Sequence, residues 1–103
     1  MKTRLTNKKG ISQVLAESKN DKDILNKEFY AFRLGETKLS KCRIMDIVTP
    51  EEYYNSTFDN ETFIQNRLKE CKTNNIKYLY VVRFLDKKGN TLDGTCTRYI
   101  YSK

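Results

Sequence analysis

Alternating apolar and polar positions predict a β-hairpin in the first half of the chain. Residues 28–34 are rich in aromatic side chains and residues 42–48 in aliphatic ones, as is typical of strands. The segment between them contains Gly35 and is largely polar, which favours a turn that makes the two strands antiparallel. With a period of two, Ile44 and Ile47 are predicted to point to opposite faces of the sheet.

A second hairpin is predicted at the C-terminal end of the sequence. Residues 76–85 alternate, but both of their faces are apolar in the middle, so this strand is predicted to be central and covered on both sides. Residues 86–90 contain Gly89, which can supply the positive φ of a tight turn. The return strand is expected to run over 91–101 as one element.

Residues 49–52, Thr-Pro-Glu-Glu, carry the sharpest helix signal in the chain. The side chain of Thr49 can accept a hydrogen bond from a free N–H of the first turn, and Glu52 can reach back to the N–H of Thr49. Pro50 suits the first helical position, where no N–H is needed. A second helical start is predicted at Asp59, whose carboxylate can cap the segment that follows.

The second helical segment has a single apolar stripe that indicates how it packs. Ile64, Leu68 and Cys71 recur at i, i+4 and i+7, so they share one face of a helix. Asn74 suits the end of this helix. The stripe and the central strand positions together give the predicted core, which consists of Ile44, Ile64, Leu68, Leu79, Val81 and Ile100.

Near the start of the chain, Ile11, Val14 and Leu15 recur at helical spacing, which predicts a helix over 6–18. The sequence therefore predicts one small α+β domain over 1–103 with its elements in the order αββαββ. Its four strands are expected to form a mainly antiparallel sheet from the two hairpins, with the helices packed on one face.

The two predicted hairpins share a local pattern. Tyr30 and Arg33 in the first align with Tyr80 and Arg83 in the second at a shift of fifty residues. The pattern has two explanations, a duplicated αββ unit or two strands shaped by the same propensities.

The charge of the chain is strongly positive and unevenly distributed. The formal net charge is +7. The basic excess lies in residues 1–27 and 76–103, while residues 49–75 are net acidic. This distribution fits either a solvated surface or attraction to nucleic acid or to an acidic protein surface. The 14 lysines and 9 asparagines of this short chain favour an origin in a phage or mobile element with an AT-rich genome.

Several classes of chemistry have no residues to carry them. The chain has no histidine, which removes the commonest general base and the commonest zinc ligand. The odd number of three cysteines, without an export signal, predicts free thiols, and a Cys42–Cys96 bridge is the alternative. The cysteines have no C-x-x-C spacing, so no metal is expected, and no cofactor is expected either. No apolar run is long enough to span a membrane, and the basic N-terminus lacks the apolar stretch of a secretory signal, so a cytoplasmic protein is expected.

These observations lead to three hypotheses of function. The first is a non-catalytic interaction protein that binds and inhibits a host defence or nucleic-acid-processing protein. The second is direct binding of nucleic acid through the basic β-hairpins, and the third is a ribonuclease without histidine. Tyrosine and arginine anchor protein interfaces and also bind bases and phosphates. The candidate partner-binding residues are accordingly Lys77, Arg83, Lys87, Lys88, Arg98, Tyr99 and Tyr101.

Overall fold

The structure is a computed structural model that describes the backbone of Arg4–Thr6 and residues 11–103. The α+β class predicted from the sequence is confirmed, but the four strands and the αββαββ order are wrong, because seven strands and two helices are present in the described residues. In chain order the elements are β1 (Arg4–Thr6), β2 (Ser12–Val14), β3 (Glu28–Phe32), β4 (Leu39–Val48), α1 (Pro50–Thr57), α2 (Glu61–Thr73), β5 (Leu79–Leu85), β6 (Thr91–Thr97) and β7 (Ile100–Ser102).

All strand pairs are antiparallel, and the sheet has the order β1-β2-β7-β3-β4-β5-β6. This order requires the sheet to curl. β6 and β7 are separated by four interstrand spacings, about 19 Å in a flat sheet. The chain covers that distance between Thr97 and Ile100, and three Cα steps reach at most about 11 Å. The sheet therefore bends round towards a partly closed barrel.

Two contacts cross the interior of this curled sheet. The backbone N–H of Ala16, just after β2, donates to the hydroxyl of Tyr80 on β5 at 2.8 Å. Beyond the end of β3, the Arg33 guanidinium lies 5.1 Å from the centre of the Phe84 ring and 2.6 Å from a carboxylate oxygen of Asp93 on β6. Each contact joins strands that are not neighbours in the sheet, so both fix its curvature.

The inner face of the sheet forms the main core. Ile44 and Ile47 both point into it and are fully buried, which corrects the prediction that they lie on opposite faces. The register between β4 and β5 shifts between Ile44 and Asp46, so a bulge adds one residue and brings Ile47 back to the inner side. The other fully buried members of this core are Val14, Ile24, Ala31, Cys42, Tyr80, Val82, Phe84 and Ile100.

The two helices cover part of the outer face, which confirms that they pack on one side of the sheet. Their buried residues Tyr54, Ile64 and Cys71 form a second core with Leu79 of β5. The central strand is therefore covered on both sides near Leu79, as its sequence predicts. Leu68 and Val81 are half-buried rather than fully buried, and Leu68 lies at the margin of this second core.

The helix signals of the sequence are confirmed at α1 and shifted by one residue at α2. At α1, the Glu52 N–H donates to the Thr49 hydroxyl at 3.2 Å, and the Thr49 N–H donates to the Glu52 carboxylate at 3.1 Å. At α2 the cap is Asn60 rather than Asp59, since the Asn60 side chain accepts a hydrogen bond from the Phe63 N–H. Asn74 ends α2 as predicted.

The predicted N-terminal helix is wrong within the described residues; positions 7–10 lie outside them. Residues Ser12–Val14 form β2, which pairs with β7, and Val14 lies opposite Ile100 in the core. Leu15 is 37% exposed, so the apparent helical stripe does not face a common core. Pairing with a distant strand therefore overrides a short local pattern.

The predicted return strand over 91–101 is divided into β6 and β7. The Thr97 hydroxyl accepts from the Tyr99 N–H and donates to the Tyr99 carbonyl, so this side chain takes the place of ladder hydrogen bonds.

The hypothesis of a duplicated αββ unit is not supported either. Tyr80 points into the inner core, whereas its aligned counterpart Tyr30 lies on the outer face opposite Lys41.

Candidate functional site

A row of polar and aromatic side chains crosses four strands on the outer face, away from the helices. Directly opposite residues of an antiparallel pair project from the same face. Gln13 of β2 lies opposite Tyr101 of β7, Tyr101 lies opposite Tyr30 of β3, and Tyr30 lies opposite Lys41 of β4. The register therefore places two tyrosines and a lysine side by side.

The aromatic side chains of this region are in contact and accessible. Phe32, two residues beyond Tyr30, meets Tyr101 edge to face with ring centres 5.8 Å apart. Phe32 is 44% exposed, and both tyrosines are half-buried. The ammonium of Lys103 lies 4.7 Å from the centre of the Tyr30 ring, a cation–π contact. An accessible aromatic cluster next to cations can bind a flat, electron-rich or anionic group.

A second row on the same face carries two arginines. Glu28 of β3 lies opposite Arg43 of β4, Arg43 lies opposite Arg83 of β5, and Arg83 lies opposite Gly94 of β6. Glu28 is shared, since its two oxygens lie 3.4 Å from Arg43 and 3.7 Å from Lys41. We call the surface formed by both rows the open face. Phe32 and Lys103 lie beside the rows and are included in it. The aromatic and cationic members of the open face are Tyr30, Phe32, Lys41, Arg43, Arg83, Tyr101 and Lys103.

The open face has a surplus of positive charge. It carries four cations, and Glu28 is the one carboxylate in its two rows among the described residues. By contrast, Arg33 has Asp93 at 2.6 Å, and Lys19 has Glu52 at 2.6 Å. On the open face, a positive surplus therefore coincides with exposed aromatic side chains.

Arg98, a predicted partner-binding residue, is held between the helices and the β6–β7 crossover. Its guanidinium lies 2.6 Å from the Glu70 carboxylate and also bonds the Tyr54 side chain. Burial lowers the pKa of Arg98, but the hydrogen bonds with Tyr54 and Glu70 together raise it by more, so the pKa lies above its ordinary value. The hydrogen bond and charge of Arg98 in turn lower the pKa of Glu70. Arg98 therefore has a structural partner in Glu70.

The remaining predicted residues lie in different places. Arg83 and Tyr101 belong to the open face, although β3 and β4 separate their strands. Lys87 and Lys88 are exposed in the β5–β6 turn, and Tyr99 is 38% exposed at the crossover. The structure thus brings Arg83 and Tyr101 onto one surface and leaves the others outside it.

Lys77 lies between two grooves beside the helices. One has a volume of about 650 Å³ and is lined by Lys69, Lys72 and Lys77 together with Leu68 and neighbouring residues. The other, of about 390 Å³, is lined by Lys77 and Arg98. Neither groove contains a cluster of exposed aromatic rings like that of the open face.

Sequence reasoning missed five members of the open face, although a signal for them exists. Tyr30 and Phe32 are two residues apart on β3, and Lys41 and Arg43 are two residues apart on β4, so each pair shares a face by simple alternation. Their common face could have been derived from the hairpin register. Lys103 could not, because its position depends on the return of β7 to β3.

The described residues contain no group of three or more histidine, cysteine, aspartate or glutamate side chains that could hold a metal ion. None of their helices has the length and apolar character needed to cross a membrane. Comparisons of the chain with protein-family models, curated proteins and solved structures give no match. Function must therefore be inferred from the geometry of the open face.

Proposed function

We propose that this protein is a non-catalytic nucleic-acid-binding protein that holds a single strand on its open face. The observation that carries the proposal is the row Tyr101–Tyr30–Lys41 with Phe32 beside it, uncovered by the helices and surrounded by cations. Proteins that bind single strands combine aromatic platforms for bases with a positive surface for the backbone.

The geometry favours single strands over duplexes. Bases in a duplex are stacked on each other, so their faces cannot reach the rings of Phe32 or Tyr30, whereas unpaired bases can. Stacking on an aromatic side chain contributes about 1–3 kcal/mol per base and tolerates any base. We therefore expect weak sequence preference and clear preference for unpaired strands.

Binding of fluorescein-labelled oligonucleotides tests the proposal. Fluorescence anisotropy is measured with a 20-nucleotide oligothymidine, a 20-nucleotide oligouridine and a 20-base-pair duplex, each between 50 and 300 mM salt. If three or four cations contact phosphates, the plot of log affinity against log salt for single strands should have a slope of about −2 to −3. Duplex affinity equal to or above single-strand affinity would contradict the single-strand assignment. No binding of any oligonucleotide at 50 mM salt would contradict nucleic-acid binding altogether.

A second candidate function is docking on an acidic host protein, with inhibition of that protein as the outcome. The observation that favours it is the edge strand β6, whose residues 91–95 are exposed and which pairs only with β5 in the described residues. An unpaired edge can accept a strand from another chain. The sequence predicts that the target is a host defence or nucleic-acid-processing protein and that this protein comes from a phage or mobile element. Both statements stay predictions. Failure of every oligonucleotide in the experiment above would favour this candidate.

The third hypothesis, a ribonuclease without histidine, receives no comparable support. Its candidate residues are Arg83, Arg98, Tyr99 and Tyr101. Arg98 is engaged with Glu70, and two strands separate Arg83 from Tyr101. No single place in the described residues presents these side chains to one scissile phosphate.

A further inference from the structure

The second half of the edge strand β6 is regular and open on one side. Residues 94–97 lie opposite 80–83 of β5 without a break, since the irregularity of this pair lies between Arg83 and Leu85. Within the described part of the chain, no strand pairs with the other side of β6. β6 has no lysine or proline, which commonly protect an edge, and its one carboxylate, Asp93, is held by Arg33 at 2.6 Å. A further strand can therefore pair with residues 94–97.

A groove on the outer face of the sheet reaches this edge. It has a volume of about 460 Å³, and its lining includes Met45, Tyr53, Val81 and Cys96 together with Gly94. Met45 is 42% exposed, and the other three apolar side chains are half-buried. Val81 lies opposite Cys96, so the groove extends up to β6 itself. A residue of an added strand opposite Cys96 would project from the same face and lie over the groove.

Arg83 brings a positive charge to the same edge. It lies opposite Gly94, and its Nη1 donates to the Leu92 carbonyl of β6 at 3.4 Å, so the guanidinium reaches β6. A Cβ atom at position 94 would lie 3.3 Å from Arg83 Cγ, so glycine keeps this path open. No carboxylate of the described residues lies within ion-pair distance of Arg83. A guanidinium has five N–H donors, so Arg83 keeps donors for an anionic group beyond the edge.

The groove and Arg83 together specify the sequence of an added strand. Cys96 and Gly94 are two residues apart on β6, so the residues opposite them are also two apart and project from one face. All strand pairs of this sheet are antiparallel. In that direction the residue over the groove comes first, and the residue beside Arg83 follows two positions later. An apolar side chain suits the first position and a carboxylate the second.

We propose that β6 binds an extended segment of another protein by antiparallel strand addition, and that this segment has an apolar-x-acidic pattern. Its apolar side chain fills the groove, and its carboxylate pairs with Arg83. The inference rests on the second candidate function, docking at β6, and does not depend on nucleic-acid binding by the open face.

A second copy of this chain suits the edge less well than such a segment. In its own β6, Gly94 stands two residues after Leu92, and Arg98 stands two residues after Cys96, so the pattern is missing. Two chains with a net charge of +7 also repel each other, whereas the same charge attracts an acidic segment.

The probe is a synthetic nine-residue peptide, Ser-Thr-Thr-Thr-Leu-Thr-Asp-Thr-Ser, with both ends blocked. One control peptide exchanges the leucine and the aspartate, and a second carries N-methyl groups on the leucine, the aspartate and the threonine between them. Binding is followed through the backbone amide NMR signals of the protein. We expect the probe to shift the signals of residues 94–97. The exchanged peptide should bind at least about tenfold more weakly, and the methylated peptide should not shift these signals, because strand addition requires backbone hydrogen bonds.

Variants of the protein test the two contacts separately. Met45→Ala should weaken the probe about tenfold, while Leu15→Ala, a matched control at 37% exposure outside this groove, should leave it within about twofold. Arg83→Gln should weaken the probe about fivefold but leave a peptide with asparagine in place of aspartate nearly unaffected. Lys87→Gln removes the same charge in the adjacent turn and should change neither affinity more than about twofold.

The outcomes separate strand addition from the other interpretations. No shift of residues 94–97 by the probe, or equal binding of a control peptide, would overturn the proposal. Sedimentation velocity of the protein alone is the second measurement, and self-association that shifts the same signals would contradict it by making a second copy the occupant. The labelled protein is also titrated with a 12-nucleotide oligothymidine. Binding of oligothymidine without the probe would reject the strand site and leave the proposed function standing, and the converse would support the strand site and reject nucleic-acid binding.

Discussion

The hydroxyl of Tyr80 accepts a hydrogen bond from the backbone N–H of Ala16 at 2.8 Å, across the interior of the curled sheet. Tyr80 is 2% exposed, and burial raises the pKa of its hydroxyl, so the group is neutral at physiological pH. The bond ties the segment after β2 to the central strand β5. It is therefore one of the contacts that keep the sheet curved and its outer face accessible.

Replacing this hydroxyl should destabilise the fold. Tyr80→Phe leaves the ring in place but removes the acceptor of the Ala16 N–H, which should cost about 1–2 kcal/mol. The free energy of unfolding in urea measures the loss. Tyr78→Phe is the matched control, since Tyr78 is half-buried against the same core and its hydroxyl makes no hydrogen bond within the described residues. Equal effects of the two substitutions would show that the Tyr80–Ala16 bond does not support the curl.

The capping box at α1 gives a second test of stability. Thr49→Ala removes the oxygen that accepts from the Glu52 N–H, and we expect a loss of about 1 kcal/mol. Thr57→Ala, at the last residue of α1, removes a threonine hydroxyl that has no capping role. The urea midpoint should fall for the first variant and stay nearly constant for the second. An unchanged midpoint for Thr49→Ala would contradict the assigned cap.

Arg98→Ala distinguishes a structural arginine from a binding one. Because Arg98 joins the crossover to Tyr54 and Glu70, its loss should destabilise the protein by about 1–2 kcal/mol. Oligonucleotide affinity of the folded variant should stay within about twofold of the unsubstituted protein, as Arg98 lies outside the open face. Reduced affinity with unchanged stability would instead return Arg98 to the partner-binding set that the sequence predicted.

The buried thiols predict loss of stability in alkaline solution. Burial raises the pKa of Cys42 and of Cys96 to about 12 from 9.0. A raised pKa means that the folded state keeps its protons while the unfolded state loses them. The thiols therefore contribute their full stability below pH 9 and lose it as pH rises towards 12. Urea midpoints should fall over this window, and Cys42→Ala should show a shallower decline. An equally steep decline in Cys42→Ala would contradict the raised pKa of Cys42.

Local signals in the sequence predicted local structure well. The cap at Thr49 depends only on a residue three positions further along the chain. The turn at Gly89 depends on the φ of 85° of this glycine and on the Asp86 side chain, which accepts hydrogen bonds from the Lys88 and Asn90 N–H groups. Features of this kind depend on nearby residues, so a sequence pattern is sufficient to identify them.

Features that depend on distant pairing were not predictable in the same way. β2 is a strand because Val14 meets Ile100, and no pattern within Ser12–Val14 announces that partner. Likewise, alternation puts Tyr30 and Phe32 on one face, but the curl decides that this face is the outer one. The bulge beside Met45, which reverses the face of Ile47, also has no glycine or proline to mark it.

The chain contains no tryptophan, so a single introduced indole reports directly on the open face. Phe32→Trp places it within the aromatic cluster, and Phe63→Trp places it on α2 with similar exposure, 38% against 44%. Both variants are titrated with the 12-nucleotide oligothymidine while tryptophan fluorescence is recorded. If bases stack on the open face, fluorescence of Phe32→Trp should be strongly quenched to saturation and that of Phe63→Trp should stay nearly constant. Quenching of Phe63→Trp alone, or none in either variant, would contradict the central claim that this face binds single-stranded nucleic acid.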